Sequence, residues 1–207
     1  MNHQLTHRQL VLNAYDKVAL KYLRDRAGFS SNKYLKKFLK ILPKAASILD
    51  LGCGAGVPVD DLLIKNNHLV TGLDISRRQI DLARKKCPRG FFQVADVARL
   101  QPKQYQADAV VCLYTIFHLP REQHLEFLQT INSFLPISGP ILISMGEKDF
   151  EGVHDFYGQK IWSSQYGPER NLELLNQAGF EIDLDEIDHR GREEHQIIIA
   201  HKLKEIC

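Results

Sequence analysis

Apolar positions along this chain follow two rhythms in turn. Over residues 5–27, Leu12, Tyr15, Val18, Ala19 and Tyr22 recur at helical spacing, which predicts an amphipathic helix stopped by Gly28. A second helix is expected over roughly 31–42, ending before Pro43, with Leu35, Phe38, Leu39 and Leu42 on one side and Lys33, Lys36, Lys37 and Lys40 on the other. From residue 47 onward, short apolar runs alternate with helical stretches. Strands are expected at 47–51, 68–74, 91–94, 107–113 and 140–145, and helices at 58–66, 76–87 and 121–135, with a short turn near 97–101. The run Ala109-Val110-Val111-Cys112-Leu113 is apolar throughout, as a parallel strand buried on both faces requires.

After residue 145 the alternation lapses into an expected loop of some twenty residues carrying Phe150, His154, Phe156, Tyr157, Trp162 and Tyr166. Pro168 then opens a helix that ends at Ala178-Gly179, where glycine serves as a left-handed cap. Two strands near 180–187 and 195–202 follow, joined by a polar segment that reads as a hairpin connection. The expected fold class is α/β: a doubly wound, mostly parallel sheet of seven strands with the last antiparallel, preceded by N-terminal helices.

The chemistry concentrates at residues 47–58, Ser-Ile-Leu-Asp-Leu-Gly-Cys-Gly-Ala-Gly-Val-Pro. A strand that ends in a glycine turn at a helix N-terminus is where doubly wound sheets hold nucleotide-like ligands. A dinucleotide fingerprint would put its third glycine at position 57, where Val57 stands. Asp50 would also set an anion beside a pyrophosphate; it suits a cationic amine. Asp-x-Gly-x-Gly-x-Gly resembles the first motif of the class I S-adenosylmethionine-dependent methyltransferases, whose fold is Rossmann-like.

That resemblance implies a role for each end of S-adenosylmethionine. Asp50 receives the amino group, and the turn of Gly52, Cys53, Gly54 and Gly56 offers amides to the carboxylate. The segment Tyr15-Asp16-Lys17-Val18-Ala19-Leu20-Lys21-Tyr22 resembles the family's leading Tyr-Asp-x-x-Ala-x-x-Tyr helix, so Tyr15 is expected to lend its hydroxyl; packing of both tyrosines in a core is the alternative. Val70 to Ser76 resembles the second motif, with Asp74, eighteen residues past Gly56, as acceptor for the ribose diol. Asp74 could instead cap a helix, although Ser76 is placed for that. Ile75 would lie on adenine and Gln79 would reach the ribose side. Ala95-Asp96-Val97 resembles the third motif, with Asp96 taking the adenine amine and the Val97 amide a ring nitrogen. Tyr105 to Leu119 resembles the fourth motif, in which Cys112 flanks the methionine arm by position, its thiol buried and inert.

Methyl transfer is an in-line displacement, and alignment of the reactants supplies much of its acceleration. A base is needed only if the acceptor must lose a proton. His118, just past the fourth motif's strand, is the candidate catalytic base, with a packing role as its alternative; His154 is a second candidate. The aromatic segment 146–166 reads as a cover over the acceptor, built together with the N-terminal helices. Its Trp162-Ser163-Ser164-Gln165-Tyr166 stretch, followed by a leucine-rich helix, resembles a small-molecule methyltransferase subgroup. The expected organisation is a helical cap over 1–46 and an S-adenosylmethionine-binding domain over 47–207. The expected activity is transfer of a methyl group to an O, N or S atom of a small molecule. Two alternatives stand beside it: a non-catalytic S-adenosylmethionine-binding scaffold, and an RNA-associated methyltransferase using the basic N-terminal helices.

Composition narrows the surroundings. With 44% hydrophobic and 25% charged residues the chain reads as an ordinary globular protein. No stretch approaches the ~20 apolar residues of a membrane span, and the polar start Met1-Asn2-His3-Gln4 has no signal-peptide core. Cys53, Cys87, Cys112 and Cys207 are scattered without a Cys-x-x-Cys, so neither a zinc site nor a disulfide framework is expected, and a reducing cytoplasm is the expected setting. His118 and His124 have no clustered partners that would make a metal site. Residues 1–46 carry ten Lys/Arg against two Asp/Glu, and residues 147–207 seven against fourteen. Charge runs of this kind ordinarily face water, so nucleic acid is not the expected partner.

Overall fold

A computed structural model of the protein describes residues 5–27, 33–189 and 194–205; Gly28, the start of the expected second helix, most of the polar connector after Asp188, and Cys207 lie outside the described residues. Two helices lead, α1 (His7–Ala27) and α2 (Lys33–Ile41). The alternation follows as β1 (Ser47–Leu51), α3 (Val59–Lys65), β2 (Leu69–Asp74), α4 (Arg77–Lys86), β3 (Phe91–Val94), β4 (Ala109–Cys112), α5 (His124–Asn132) and β5 (Pro140–Met145). A short hairpin, β6 (Phe150–Phe156) and β7 (Gln159–Gln165), precedes α6 (Pro168–Gln177), β8 (Phe180–Asp188) and β9 (His195–Lys202). Single 3-10 turns occupy Val97–Arg99, Ile116–His118 and Arg121–Gln123.

Seven strands form the main sheet in the order β3-β2-β1-β4-β5-β9-β8. The first five pair in parallel, and β9 runs antiparallel to both β5 and β8. Chain order reverses between β1 and β4, which opens the crevice at their C-terminal ends where such sheets receive ligands. Strand alternation divides the core. Leu49, Leu51, Val110 and Cys112 face α5 and α6, whereas Ile48, Val70, Ala109 and Val111 face α3 and α4. The second layer also takes Tyr34, Leu35 and Phe38 of α2, all buried. On the opposite side of α2, Lys33 and Lys37 both pair with Glu186 of β8, the latter at 2.9 Å, so part of the basic stripe is spent on the protein itself.

The segment expected as a loop is the main departure. Residues 150–165 form an antiparallel hairpin whose register runs from Phe150↔Gln165 to Phe156↔Gln159. Tyr157 and Gly158 make its two-residue turn with φ of 54° and 80°, the pair of positive values that matches the twist of the flanking strands. Along β6, Phe150, Gly152, His154 and Phe156 turn inward while Glu151, Val153 and Asp155 face water. The hairpin stands outside the main sheet, and α1 packs against β7 and α4. The expected helix over 121–135 resolves into the last 3-10 turn and a shorter α5. Among the described residues no helix is long and apolar enough to cross a membrane.

Candidate functional site

The turn after β1 is built on main-chain bonds. The Gly52 and Cys53 N–H groups both donate to the Leu73 carbonyl, at 2.7 and 3.0 Å. Gly52 has φ +81°, and a Cβ there would lie 1.9 Å from Thr115 Oγ1, so only glycine fits. The Gly54 N–H donates to Asp74 Oδ2 at 2.9 Å, and the Ser76 N–H to Asp74 Oδ1 at 2.8 Å. Ser76 itself caps α4 by accepting from the Gln79 N–H at 3.1 Å, which leaves Asp74 aimed at the crevice. Burial raises the Asp74 carboxyl to about 6, against the pull of its two amide donors.

A cavity of about 450 Å³ lies over these strand ends. Gly52, Gly54, Asp74, Ile75, Asp96 and Val97 line it from the sheet side, and Tyr15 and His118 from above. Asp50 and Cys53 open instead on a small adjoining cavity of about 60 Å³ bounded by Gly52, Gly54, Tyr22 and Tyr114. Gly56 packs inward, where an added Cβ would meet Cys87 Sγ at 3.0 Å. Gln79 and Cys112 lie behind the cavity walls rather than on them. Gln79 is on the sheet-facing side of α4 and 1% exposed, with both side-chain polar atoms unpaired; Cys112 is in the middle of the sheet, its thiol pushed upward by burial. Asp96 carries an ion pair to Arg8 of α1 and a longer one to Arg99 at 3.5 Å, while its Oδ1 accepts from the Ala98 N–H.

A second cavity, about 480 Å³, lies between α1, the hairpin and the end of β5. This cavity and the first are both bounded by Tyr15, Tyr22, Tyr114 and His118. Tyr15 Oη lies 2.9 Å from His118 Nε2, and His118 Nδ1 lies 3.2 Å from the Trp162 carbonyl oxygen. A carbonyl only accepts, so Nδ1 carries the ring proton and Nε2 accepts from the tyrosine hydroxyl. Phe117, Phe150 and Phe156 add aromatic walls, and His154, whose Nε2 is 2.9 Å from Ser163 Oγ, also faces this cavity. Tyr114 takes φ 59° at the end of β4, held by its N–H donating to Ser144 Oγ at 2.6 Å. Such a strained main chain between two cavities is typical of a working site.

Sequence reasoning passed over Arg8, Asp60 and the hairpin form of the aromatic segment, whose placement over an acceptor it did expect. Asp60, in the first turn of α3, is fully buried beside Asp50, and burial of the two carboxyls raises both. Period-two alternation through Phe150-Glu151-Gly152-Val153-His154-Asp155-Phe156 was the available signal for the hairpin. Among the described residues no group of three or more His, Cys, Asp or Glu side chains is placed to hold a metal ion.

A doubly wound sheet whose first strand ends in an acidic residue and a three-glycine turn, with a carboxylate closing the next strand, defines a Rossmann-like α/β protein built for an adenosine-type ligand. A family model described as a methyltransferase domain matches residues 48–139. Together with the relatives below, this match supports a class I S-adenosylmethionine-dependent methyltransferase. It is 29% identical over 148 residues to trans-aconitate 2-methyltransferase of Escherichia coli O1:K1 / APEC, covering 66% of this chain and 57% of that protein. It is 25% identical over 172 residues to ubiquinone biosynthesis O-methyltransferase of Coxiella burnetii (strain Dugway 5J108-111), covering 71% of each. In fold it matches magnesium protoporphyrin IX methyltransferase from Synechocystis PCC 6803, solved with bound S-adenosylmethionine, at a TM-score of 0.75 and 18% identity over 98% of this chain and 100% of that one.

Proposed function

We propose that the protein transfers a methyl group from S-adenosylmethionine to a small-molecule acceptor held in the second cavity. The observation that carries this reading is the pair of cavities meeting at Tyr15 and His118, one lined by the adenosine-type motif residues and the other by aromatic rings. Asp74 suits the ribose diol, Ile75 and Val97 the adenine, Asp96 its amine once Arg8 yields, and Asp50 the amino group. When bound, S-adenosylmethionine supplies an electrophilic methyl group on a positively charged sulfur. The protein's own part is to align the acceptor, exclude water and manage one proton. The aromatic walls of the second cavity hold a flat acceptor and keep the site dry. His118, its Nδ1–H fixed by the Trp162 carbonyl, presents Nε2 through the Tyr15 hydroxyl as a proton acceptor, which suits transfer to an oxygen whose proton is acidic.

Calorimetry with adenosylhomocysteine tests the cofactor. At about a hundred times its dissociation constant this ligand should add ~2.7 kcal/mol of stability, while NAD adds none. Silence toward adenosylhomocysteine would end the proposal. Turnover of a panel of small hydroxylated and aminated acceptors then tests the chemistry: His118→Ala should slow it at least ~100-fold, in line with general-base catalysis, and leave adenosylhomocysteine affinity nearly intact. A wild-type rate would make His118 a packing residue.

A further inference from the structure

We propose that Asp60 is a positioning residue for the cofactor's amino group: its carboxyl shares a proton with Asp50, and that proton leaves when an ammonium docks against Asp50. The inference rests on the reading of Asp50 as the ammonium's acceptor and adds a residue and a proton to it.

An aspartate in the first turn of a helix normally meets water and the free N–H groups there. Asp60 does neither. It is 0% exposed, and neither side-chain oxygen receives a hydrogen bond from a donor elsewhere among the described residues. Strand alternation is the reason for its neighbour: Asp50 follows Ile48 on the face of β1 that α3 covers. The two carboxyls therefore act on each other in the protein interior, with no donor for Asp60 among the described residues other than a proton of the pair's own. Such a contact requires a proton, since two carboxylates brought together away from water cannot both stay ionised. The other ionisable groups that act on the pair are Asp74 from β2 and the thiols of Cys53, Cys87 and Cys112; across the small cavity stand Tyr22 and Tyr114. None of these is a cation, so within the described structure the pair has only its own proton to offset its charge.

The small cavity beside Asp50 is of a size for an ammonium head rather than a ring. With one proton the pair carries a single negative charge. An ammonium against Asp50 stabilises the second ionisation, the proton passes to solvent, and the new positive charge balances the new negative one. Affinity for a ligand bearing the amino group should then rise with pH, approaching ~10-fold per pH unit at the one-proton limit.

Calorimetric titration of the full chain at about pH 7.5, in buffers of differing ionisation enthalpy, counts the protons released. The probes are adenosylhomocysteine and 5′-methylthioadenosine, which keeps the nucleoside and sulfur but lacks the amino-acid end. Asp74 contributes alike to both, so their difference isolates the Asp50–Asp60 pair. The expected result is close to one proton for adenosylhomocysteine and close to none for methylthioadenosine. In Asp60→Asn, whose amide donates to an Asp50 that stays ionised, the count for adenosylhomocysteine should fall toward zero and its affinity should lose most of its pH dependence. Equal proton counts for the two probes in the unmodified protein would overturn the inference without needing the variant. So would an Asp60→Asn protein that releases as many protons as wild type. Binding of adenosylhomocysteine without proton release refutes the role of Asp60 alone, whereas absence of binding removes the cofactor reading beneath it.

Discussion

Replacing Asp74 by alanine separates two tasks that one carboxylate performs. It holds the Gly54 and Ser76 N–H groups at 2.9 and 2.8 Å, and it faces the first cavity. Loss of the two internal bonds should cost about 1–3 kcal/mol of stability, because unpaired amides in a half-buried turn are solvated only in part. Loss of a charge-assisted, two-pronged contact to a ribose diol should cost a further ~1.5–3 kcal/mol of ligand binding, which is roughly 10- to 150-fold in affinity. Thermal unfolding without ligand reads the first quantity. The second is read by comparing adenosylhomocysteine with its 2′,3′-dideoxy analogue. The unmodified protein should prefer the hydroxylated ligand by that factor, and Asp74→Ala should bind the two alike. The preference should also shrink as pH falls through about 6, where the raised carboxyl takes up its proton and stops accepting from both hydroxyls. A variant that still distinguishes the ligands by ~10-fold or more, or one that weakens both equally, would refute the ribose assignment.

Two further perturbations concern the frame of the site. Gly52→Ala puts a Cβ into a residue at φ +81° and 1.9 Å from Thr115 Oγ1; left-handed strain of about 1–2 kcal/mol plus displacement of Thr115 should lower the melting temperature by at least ~5 °C, and an unchanged melting temperature would show that the turn relaxes freely. His124 is 1% exposed, its Nε2–H donates to the Leu119 carbonyl at 3.2 Å, and burial lowers it from 6.5 to about 4. Over that interval the unfolded chain binds a proton that the native one refuses, so His124 should erode stability as pH falls from ~6.5 to ~4, by at most ~3 kcal/mol. Asp74 acts in the opposite sense, since its raised carboxyl makes the native state the better proton binder until pH rises through about 6. The test of His124 is therefore a difference: His124→Gln should flatten the acid side of the stability profile relative to wild type, and parallel profiles would discount the residue.

What could be read from the chain and what could not divide along the range of the interactions involved. The strand-turn-helix at 47–65 was legible because its determinants are local: an apolar run, an acid, three glycines and a proline at the helix's threshold. The placement of Asp74 and Asp96 at the cavity was legible because Asp74 ends β2 and Asp96 follows β3 by two residues, and the parallel register brings strand ends together. The hairpin escaped because Gly152 thins its inward face and its aromatic residues drew attention away from their spacing of two. Tyr15 and His118 could each be singled out, but their contact spans 103 positions and exists only because α1 lies across the hairpin. Arg8 reaches Asp96 over 88 positions in the same way. Asp60 carries no local signal: an acid in a helix's first turn is ordinarily a solvated group, and only the packing of α3 on β1 makes it an interior one.

The hairpin has a practical corollary for anyone wishing to redirect the enzyme. Phe150, His154, Phe156, Ser163 and Gln165 border the aromatic chamber without touching the nucleoside-side one. On the proposed function, a library confined to these five codons should reshape selectivity toward new acceptors while leaving the residues that line the first cavity unchanged, whereas diversifying Tyr15, Tyr22, Tyr114 or His118 alters both cavities together.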